Sequence, residues 1–171
     1  PSDLDYIHVT SNNTIFGTQI KEFPKTDIPM VCDMSSDIFS KEINVADFDI
    51  IYAGAQKNLG PAGTTLFIVK DAILGKSSVE TPTMLDLATH AKKDSMFNTP
   101  PVFAVYASML NLRHMKANGG VAAIEKVNNA KAELLYAEID RNPLFEGTAE
   151  KEDRSYMNPT FVLTDTSLEE K

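Results

Sequence analysis

The sequence predicts an α/β fold built around a largely parallel sheet. The first half contains four short apolar runs separated by turn residues, which is typical of strands buried on both faces of a parallel sheet. The second half contains two long segments in which apolar residues recur at helical spacing. No internal repeat or low-complexity tract interrupts these patterns, so we expect one continuous globular region.

Four segments of the first half are predicted as strands. Each is apolar, and the last, TTLFIVK, is the richest in β-branched and aromatic residues. A glycine- and proline-rich turn, GPAG, separates the third strand from the fourth. The predicted strands are residues 4–9, 28–32, 49–53 and 64–70.

Two helices are predicted in the second half. The first begins at Pro100-Pro101, since proline suits the first turn of a helix. It ends at Gly119-Gly120, because glycine adopts the left-handed conformation of a helix C-cap at little cost. The second helix carries an apolar stripe along residues 121–141.

The last part of the chain is predicted as a strand over residues 156–164. Pro159 lies inside it and indicates an edge strand or a bulge, because proline cannot donate to a sheet ladder. We also predict a change of domain at the glycine pair, which divides the chain into residues 1–119 and residues 120–171.

Charge and hydropathy exclude several classes of function. The chain has 171 residues and a net charge of −8, so the basic surface of a nucleic-acid-binding protein is missing. A small anion remains an acceptable ligand, because local dipoles rather than net charge hold a phosphate. The longest apolar stretch, residues 100–112, is shorter than the roughly 20 residues that cross a bilayer.

Cysteine and histidine usage indicates a cytoplasmic protein without a metal site. The single cysteine, Cys32, has no partner for an internal disulfide, which favours a reducing compartment. The three histidines are far apart in the sequence, and no Cys/His spacing typical of a metal site occurs.

Neither end of the chain resembles a natural boundary. Pro1 is followed almost at once by an apolar run, and Thr166 with Glu169 forms the S/T-x-x-E pattern that usually opens a helix. We therefore expect the chain to be a fragment of a longer protein.

Lys57 is the first candidate for chemistry. An apolar strand runs directly into the small residues that precede this lysine, where a ligand has room to approach the amine. Desolvation there would lower the pKa of the amine, as lysines that attack carbonyl groups require. The alternative is a surface lysine in a loop between strands, which spacing alone favours. A phosphate-binding P-loop is excluded, because no G-x-x-x-x-G-K-[ST] pattern occurs.

Asp33 is the second candidate, since it follows a predicted strand. Ligands of open α/β sheets bind at the carboxyl ends of strands. The alternative is that Asp33 caps a turn or a short helix. Its neighbour Cys32 is predicted to be a core residue rather than a nucleophile, because no base stands beside it in the sequence.

Several stretches of sequence together resemble one enzyme family. In chain order they are VCDMSSDIFS, IYAGAQKNLGPAG, SMFNTPPVFAVY, KANGGVAAIEK and RSYMNPTFVL, and they extend over essentially the whole sequence. They resemble the phosphoserine aminotransferases, which are pyridoxal-phosphate enzymes of the class V aminotransferases. The resemblance implies the aspartate-aminotransferase-like fold of PLP-dependent transferases, with residues 1–119 in the large domain. Residues 120–171 would then form the linker helix and the start of the small C-terminal domain.

The same resemblance implies a reaction and its partners. The family transfers an amino group from glutamate to 3-phosphohydroxypyruvate, which gives O-phosphoserine and 2-oxoglutarate in serine biosynthesis. It also implies pyridoxal 5′-phosphate as cofactor and a cytoplasmic homodimer, with neither nucleic acid nor membrane as partner. Alternatives are another class V activity, or a folded or dimerising piece that binds no cofactor.

Three residues match positions that contact the cofactor ring in that family. Lys57 matches the lysine that holds the cofactor covalently, and Asp33 matches the aspartate beside the pyridine nitrogen. Thr14 matches a threonine that hydrogen-bonds the cofactor near its phenolic oxygen. Here Asn13 stands where the family more often has Glu.

Three more residues match positions near the cofactor phosphate. Gln56 resembles a glutamine that contacts this phosphate, while Asn98 and Thr99 resemble residues that reach the phosphate in the partner subunit. The alternative for the last two is that they cap their own helix. The family's ring-stacking aromatic residue and its substrate-reading basic residues match nothing in this sequence, so we expect this chain alone to be inactive.

Overall fold

A computed structural model describes residues 3–168 and confirms the mixed α/β architecture. Its strands are β1 (Ile7–Thr10), β2 (Asn12–Asn13), β3 (Thr18–Gln19), β4 (Met30–Asp33), β5 (Ile50–Gly54), β6 (Thr65–Val69), β7 (Phe145–Gly147) and β8 (Phe161–Leu163). Its α-helices are α1 (Leu87–Ala91), α2 (Val102–Ala117) and α3 (Gly120–Arg141).

The central sheet has four strands in the order β1-β4-β5-β6. The first three are parallel, as predicted, whereas β6 runs antiparallel to β5. The connection between β5 and β6, residues 55–64, is shorter than the dozen or so residues that a parallel crossover needs. Chain length therefore decides the direction of the last strand, and the carboxyl ends of β4 and β5 lie at the same edge.

One face of the sheet forms the main core. Met30 and Cys32 of β4 and Ile51 and Ala53 of β5 are buried on it, because side chains alternate between the two faces along each strand. Burial raises the pKa of the Cys32 thiol to about 12, and the nearby carboxylates of Asp37 and Asp33 add to the effect. Cys32 is thus a core residue, as the sequence predicts.

The opposite face of the sheet is more open. His8 of β1 stacks on Tyr52 of β5 with 5.9 Å between ring centroids, and its Nε2 lies 3.0 Å from the Tyr52 hydroxyl. Tyr52 in turn stacks on Phe67 of β6 at 6.1 Å. Asp33 is paired with Tyr52 in the sheet register, so its side chain is on this open face.

The two predicted helices are confirmed. Helix α2 begins directly after Pro101, and α3 begins at Gly120. Gly119 and Gly120 have φ values of +97° and +72°, a left-handed conformation that separates the helices and that glycine adopts without strain. No helix within residues 3–168 has the length and apolar character to cross a membrane.

The predicted strand over residues 156–164 is wrong in its extent. Only Phe161–Leu163 forms a strand, β8, which pairs antiparallel with β7. Pro159 precedes it, and Ser155 and Asn158, which lie before this proline, bond to the β2–β3 hairpin instead of to β7. The helix start predicted at Thr166 corresponds to a single turn, Thr166–Leu168, and Glu169 lies outside the described residues.

Candidate active site

The carboxyl ends of β4 and β5 are joined by one hydroxyl group. Ser35 Oγ donates to Asp33 Oδ1 at 2.6 Å and accepts from the backbone N–H of Gly54 at 3.0 Å. Gly54 is the last residue of β5, and the turn that contains Lys57 begins immediately after it. The sheet therefore brings the aspartate and the lysine-bearing turn, which are distant in sequence, to one edge.

Asp33 holds the turn that follows β4, which is the alternative role considered from the sequence. Its Oδ1 also accepts from the backbone N–H of Ser35 at 2.8 Å, so it does cap the turn after β4. Oδ1 accepts both hydrogen bonds, so Oδ2 takes no part in holding that turn. Burial raises the pKa of the neighbouring Tyr52, and the negative charge of Asp33 raises it further. A carboxylate of fixed orientation thus stands at the end of a parallel strand.

Lys57 lies on a turn whose backbone is firmly held. Ala55 N–H donates to the carbonyl of Thr64 at 3.0 Å, and the N–H of Leu59 donates back to Ala55 at 3.1 Å. The next side chain, Asn58, donates from Nδ2 to the carbonyl of Ile38 at 2.6 Å. The Lys57 side chain itself is exposed, so the described residues leave its amine open to a ligand.

Gln56 is exposed on the same turn and folds back over the end of β5. A Cβ atom built on Gly54 would lie 2.8 Å from Gln56 Oε1, so a larger residue there would displace the amide. Gly54 therefore leaves room for this side chain to lie close to the backbone.

Thr14 reaches the same edge through a second serine. Its Oγ1 lies 2.9 Å from Ser36 Oγ, which donates to the carbonyl of Asn12 at 3.1 Å. Asn13 Oδ1 accepts from the N–H groups of Ile15 and Phe16 at 3.0 and 3.1 Å, which shapes the turn of the hairpin. Asn13 therefore has a local structural role in the hairpin.

Asn98 and Thr99 lie apart from these residues in an exposed loop before α2. Asn98 Nδ2 donates to the carbonyl of Thr99 at 3.1 Å. The N-cap position of α2 is occupied by Pro101, and no side chain makes a capping bond there. The alternative that Asn98 or Thr99 caps this helix is thus wrong within residues 3–168.

The sequence analysis missed the two serines that organise the site. Ser35 and Ser36 directly follow Met34 in the D-M-S-S stretch, and a hydroxyl two residues after an aspartate is a typical turn signal. It also missed Asn158, which donates to the carbonyl of Thr14 at 2.7 Å. Because these two residues are 144 positions apart, no local pattern could have revealed the contact.

The donor set suits an organic ligand rather than a metal ion. A carboxylate can stabilise a cationic ring nitrogen, and an exposed primary amine can react with a carbonyl carbon. The Thr14 hydroxyl and the Gln56 amide add neutral polar contacts. Among the residues that the structure describes, no group of three His, Cys, Asp or Glu side chains is arranged to hold a metal.

Comparison with known proteins identifies sequences and structures similar to this chain. The family model described as aminotransferase class-V matches residues 2–170. A phosphoserine aminotransferase of Flavobacterium johnsoniae is 69% identical over 163 residues, which is 95% of this chain and 46% of the relative. The chain thus spans about half the length of the curated relatives it matches.

Solved structures of the same kind superpose on the chain. Phosphoserine aminotransferase from Bacillus circulans subsp. alkalophilus is 42% identical with a TM-score of 0.93, covering 96% of this chain and 46% of that one. A PLP-bound phosphoserine aminotransferase from Trichomonas vaginalis is 34% identical with a TM-score of 0.89, covering 94% and 45%.

Proposed function

We propose that this chain, which belongs to the aminotransferase class-V family, supplies the lysine and the aspartate of a pyridoxal-phosphate site. The whole protein would be a phosphoserine aminotransferase, which converts 3-phosphohydroxypyruvate and glutamate to O-phosphoserine and 2-oxoglutarate. The observation that carries the proposal is the Ser35 bridge, which joins the Asp33 carboxylate to the strand end before Lys57. The identity of 69% to a relative of that name supports the substrate assignment.

Each residue has a defined task in this reaction. When bound, pyridoxal phosphate draws electrons away from the Cα–H bond of the amino-acid substrate. Asp33 keeps a proton on the ring nitrogen, because a nearby negative charge favours the cationic form. Lys57 would hold the cofactor through its amine, and in the reaction its Nζ would act as the general base that takes the proton from the substrate Cα. Thr14 would donate from its hydroxyl to the cofactor near its phenolic oxygen.

The phosphate of the cofactor would be held by neutral donors from two subunits. Gln56 donates from its own chain, and Asn98 and Thr99 reach the site of the partner in a homodimer. These two lie just before α2, a helix of 16 residues whose N-terminal dipole favours a phosphate dianion. Neither side chain is used as a cap for that helix, which leaves both available to a ligand.

The location of the protein and its division into domains belong to the same proposal. A cytoplasmic location agrees with the single, buried cysteine, which has no disulfide partner in this sequence. A domain boundary at Gly119-Gly120 agrees with the break between α2 and α3. We assign residues 1–119 to the large domain and residues 120–171 to the linker helix and the start of the small domain.

Reductive labelling tests the proposed function directly. Borohydride treatment of the full-length holoenzyme, followed by peptide mapping, should place the pyridoxyl group on Lys57. Lys70 is the internal control, since its Nζ lies 3.1 Å from Asp49 Oδ1 in an ion pair at the other end of β5 from Lys57. Label on Lys70 or Lys76, or a protein that takes up no cofactor, would contradict the assignment.

Subunit exchange tests the contribution of Asn98 and Thr99. Lys57→Ala and the double variant Asn98→Ala/Thr99→Ala should each be nearly inactive, whereas a mixture of the two should recover activity. In a mixed dimer one site inherits both lesions and the other neither, provided that residues 98 and 99 act across the interface. If they act within their own chain, each site keeps one lesion and mixing restores nothing.

A further inference from the structure

Residues 153–160, which we call the clasp segment, are bonded to the β2–β3 hairpin that carries Thr14. The backbone N–H of Gln19 donates to the carbonyl of Asp153 at 2.9 Å, and that of Ser155 donates to the carbonyl of Gly17 at 2.8 Å. The hairpin is a two-stranded ribbon of only two residues per strand, which is too short to be stable alone. Its conformation therefore depends on the clasp segment.

Asn158 connects the clasp segment to Thr14 itself. Its Nδ2 donates to the carbonyl of Thr14 at 2.7 Å. Its Oδ1 accepts from Asn12 Nδ2 at 2.7 Å and from Ser155 Oγ at 3.0 Å. Because both ends of the amide are engaged, the orientation of the donor toward Thr14 is fixed.

Close packing at Gly17 leaves little room for the hairpin to move away from the clasp segment. Thr160 Oγ1 donates to the carbonyl of Phe16 at 3.1 Å. A Cβ atom on Gly17 would lie only 2.2 Å from Thr160 Oγ1, and the φ of Gly17 is +67°. Glycine is therefore the residue that allows this approach, both sterically and in backbone conformation.

The clasp segment is in turn anchored to helix α3. Arg154 makes two bonds to Asp140, from Nη1 to Oδ2 at 3.0 Å and from Nη2 to Oδ1 at 2.6 Å. These hydrogen bonds, together with one from Lys151, hold the pKa of Asp140 far below its usual range. Tyr136 donates its hydroxyl to the carbonyl of Ser155 at 2.9 Å, and the Arg154 guanidinium lies 4.5 Å from its ring centroid. These contacts hold the clasp segment against α3, on the side away from the candidate site.

We infer that Asn158 is a positioning residue, which holds Thr14 in place for the cofactor and ties the cofactor site to the region beyond the glycine pair. The inference rests on the proposed role of Thr14. The path consists of two contacts, from Asp140 to Arg154 and from Asn158 to Thr14, joined by the backbone of the clasp segment. Asn158 acts through Thr14 and does not itself touch the cofactor.

The test measures cofactor affinity in the full-length apoprotein. Titration with pyridoxal phosphate should give a Kd for Asn158→Ala about tenfold weaker than that of the unaltered protein, as expected for one lost positioning hydrogen bond. Asn158→Asp retains the acceptor for Asn12 and Ser155 but replaces the donor with a carboxylate oxygen that repels the Thr14 carbonyl, so it should weaken binding as well. Amide hydrogen exchange of residues 13–17 should accelerate in both variants.

Thr164→Val is the matched control, because Thr164 Oγ1 makes a similar bond, 2.9 Å to the carbonyl of Pro143, away from the hairpin. This variant should bind the cofactor normally. Asn158→Ala should add no further loss of affinity to Thr14→Val, since both act through the same hydroxyl. Unchanged affinity and exchange in both Asn158 variants would overturn the inference, as would full additivity with Thr14→Val.

The failure of the inference can be distinguished from the failure of the proposed function. If Thr14→Val weakens the binding of pyridoxal phosphate and neither Asn158 variant weakens it, only the inference is wrong. If Thr14→Val leaves the affinity unchanged, the role of Thr14 is wrong, and the inference that depends on it is overturned as well. Should Asn158→Ala fail to fold, Asn158→Asp and the exchange data decide the question.

Discussion

Replacing Lys57 with alanine should abolish almost all transamination in the full-length enzyme. In the proposed reaction, the substitution would remove both the covalent attachment point of the cofactor and the amine that moves the Cα proton. Proton transfer by one positioned side chain contributes about 10²–10⁴-fold, so we expect a loss of at least about 10³-fold in kcat. Single-turnover measurement of phosphoserine formation checks this expectation.

The fold should tolerate the change at Lys57, because its side chain is exposed and the turn is held by backbone bonds. We expect the free energy of unfolding to change by no more than about 0.5 kcal/mol, as is usual for surface substitutions. Lys57→Arg keeps the positive charge but cannot form the covalent link, so it should be as inactive as Lys57→Ala. Substantial activity in the arginine variant would show that the charge of the residue, rather than its primary amine, is what matters.

Asp33→Asn should still bind cofactor but turn over at least about 100-fold more slowly, as expected for the loss of one preorganised electrostatic partner. Asparagine lacks the negative charge that, in the proposed function, would keep a proton on the ring nitrogen. It retains an Oδ1 that can accept both bonds from Ser35, so the turn after β4 should remain intact. Comparing kcat with the Kd for pyridoxal phosphate separates a catalytic effect from a structural one.

Asp49→Asn is the matched control for this variant. Asp49 precedes β5, where its Oδ2 accepts from the N–H of Met30 at 2.8 Å and its Oδ1 is paired with Lys70. The same change of charge there leaves the site at the other end of the strand untouched, so turnover should be close to normal. Near-normal turnover of Asp33→Asn itself would show that Asp33 is a turn cap and nothing more.

The sequence predicted the elements that position the site because their signals are local. The strands before Asp33 and Lys57 are apolar runs ended by polar or small residues, and these patterns correspond to β4 and β5. The break at Gly119 follows equally from a local property, the ease with which glycine adopts positive φ.

The burial of Asp37 shows a kind of contact that the sequence did not predict. This carboxylate lies inside the protein, where Ser11 donates to Oδ1 and Gln19 donates from Nε2 to Oδ2 at 3.1 Å. Burial raises the pKa of Asp37, and the bonds from Ser11 and Gln19 oppose that rise. An isolated aspartate in a polar stretch of sequence is expected to be exposed. Only the folded structure therefore identifies the partners of Asp37.

The sequence by itself therefore determined the position of Asp33 and Lys57 at the ends of two neighbouring strands and the helical character of the second half. Only the tertiary structure decided that Ser35 bridges the two strand ends and that the segment around Asn158 holds the hairpin of Thr14. The physical reason is the range of the interactions. Side-chain periodicity and turn chemistry are set by neighbouring residues, whereas hydrogen bonds between distant segments arise when the chain packs.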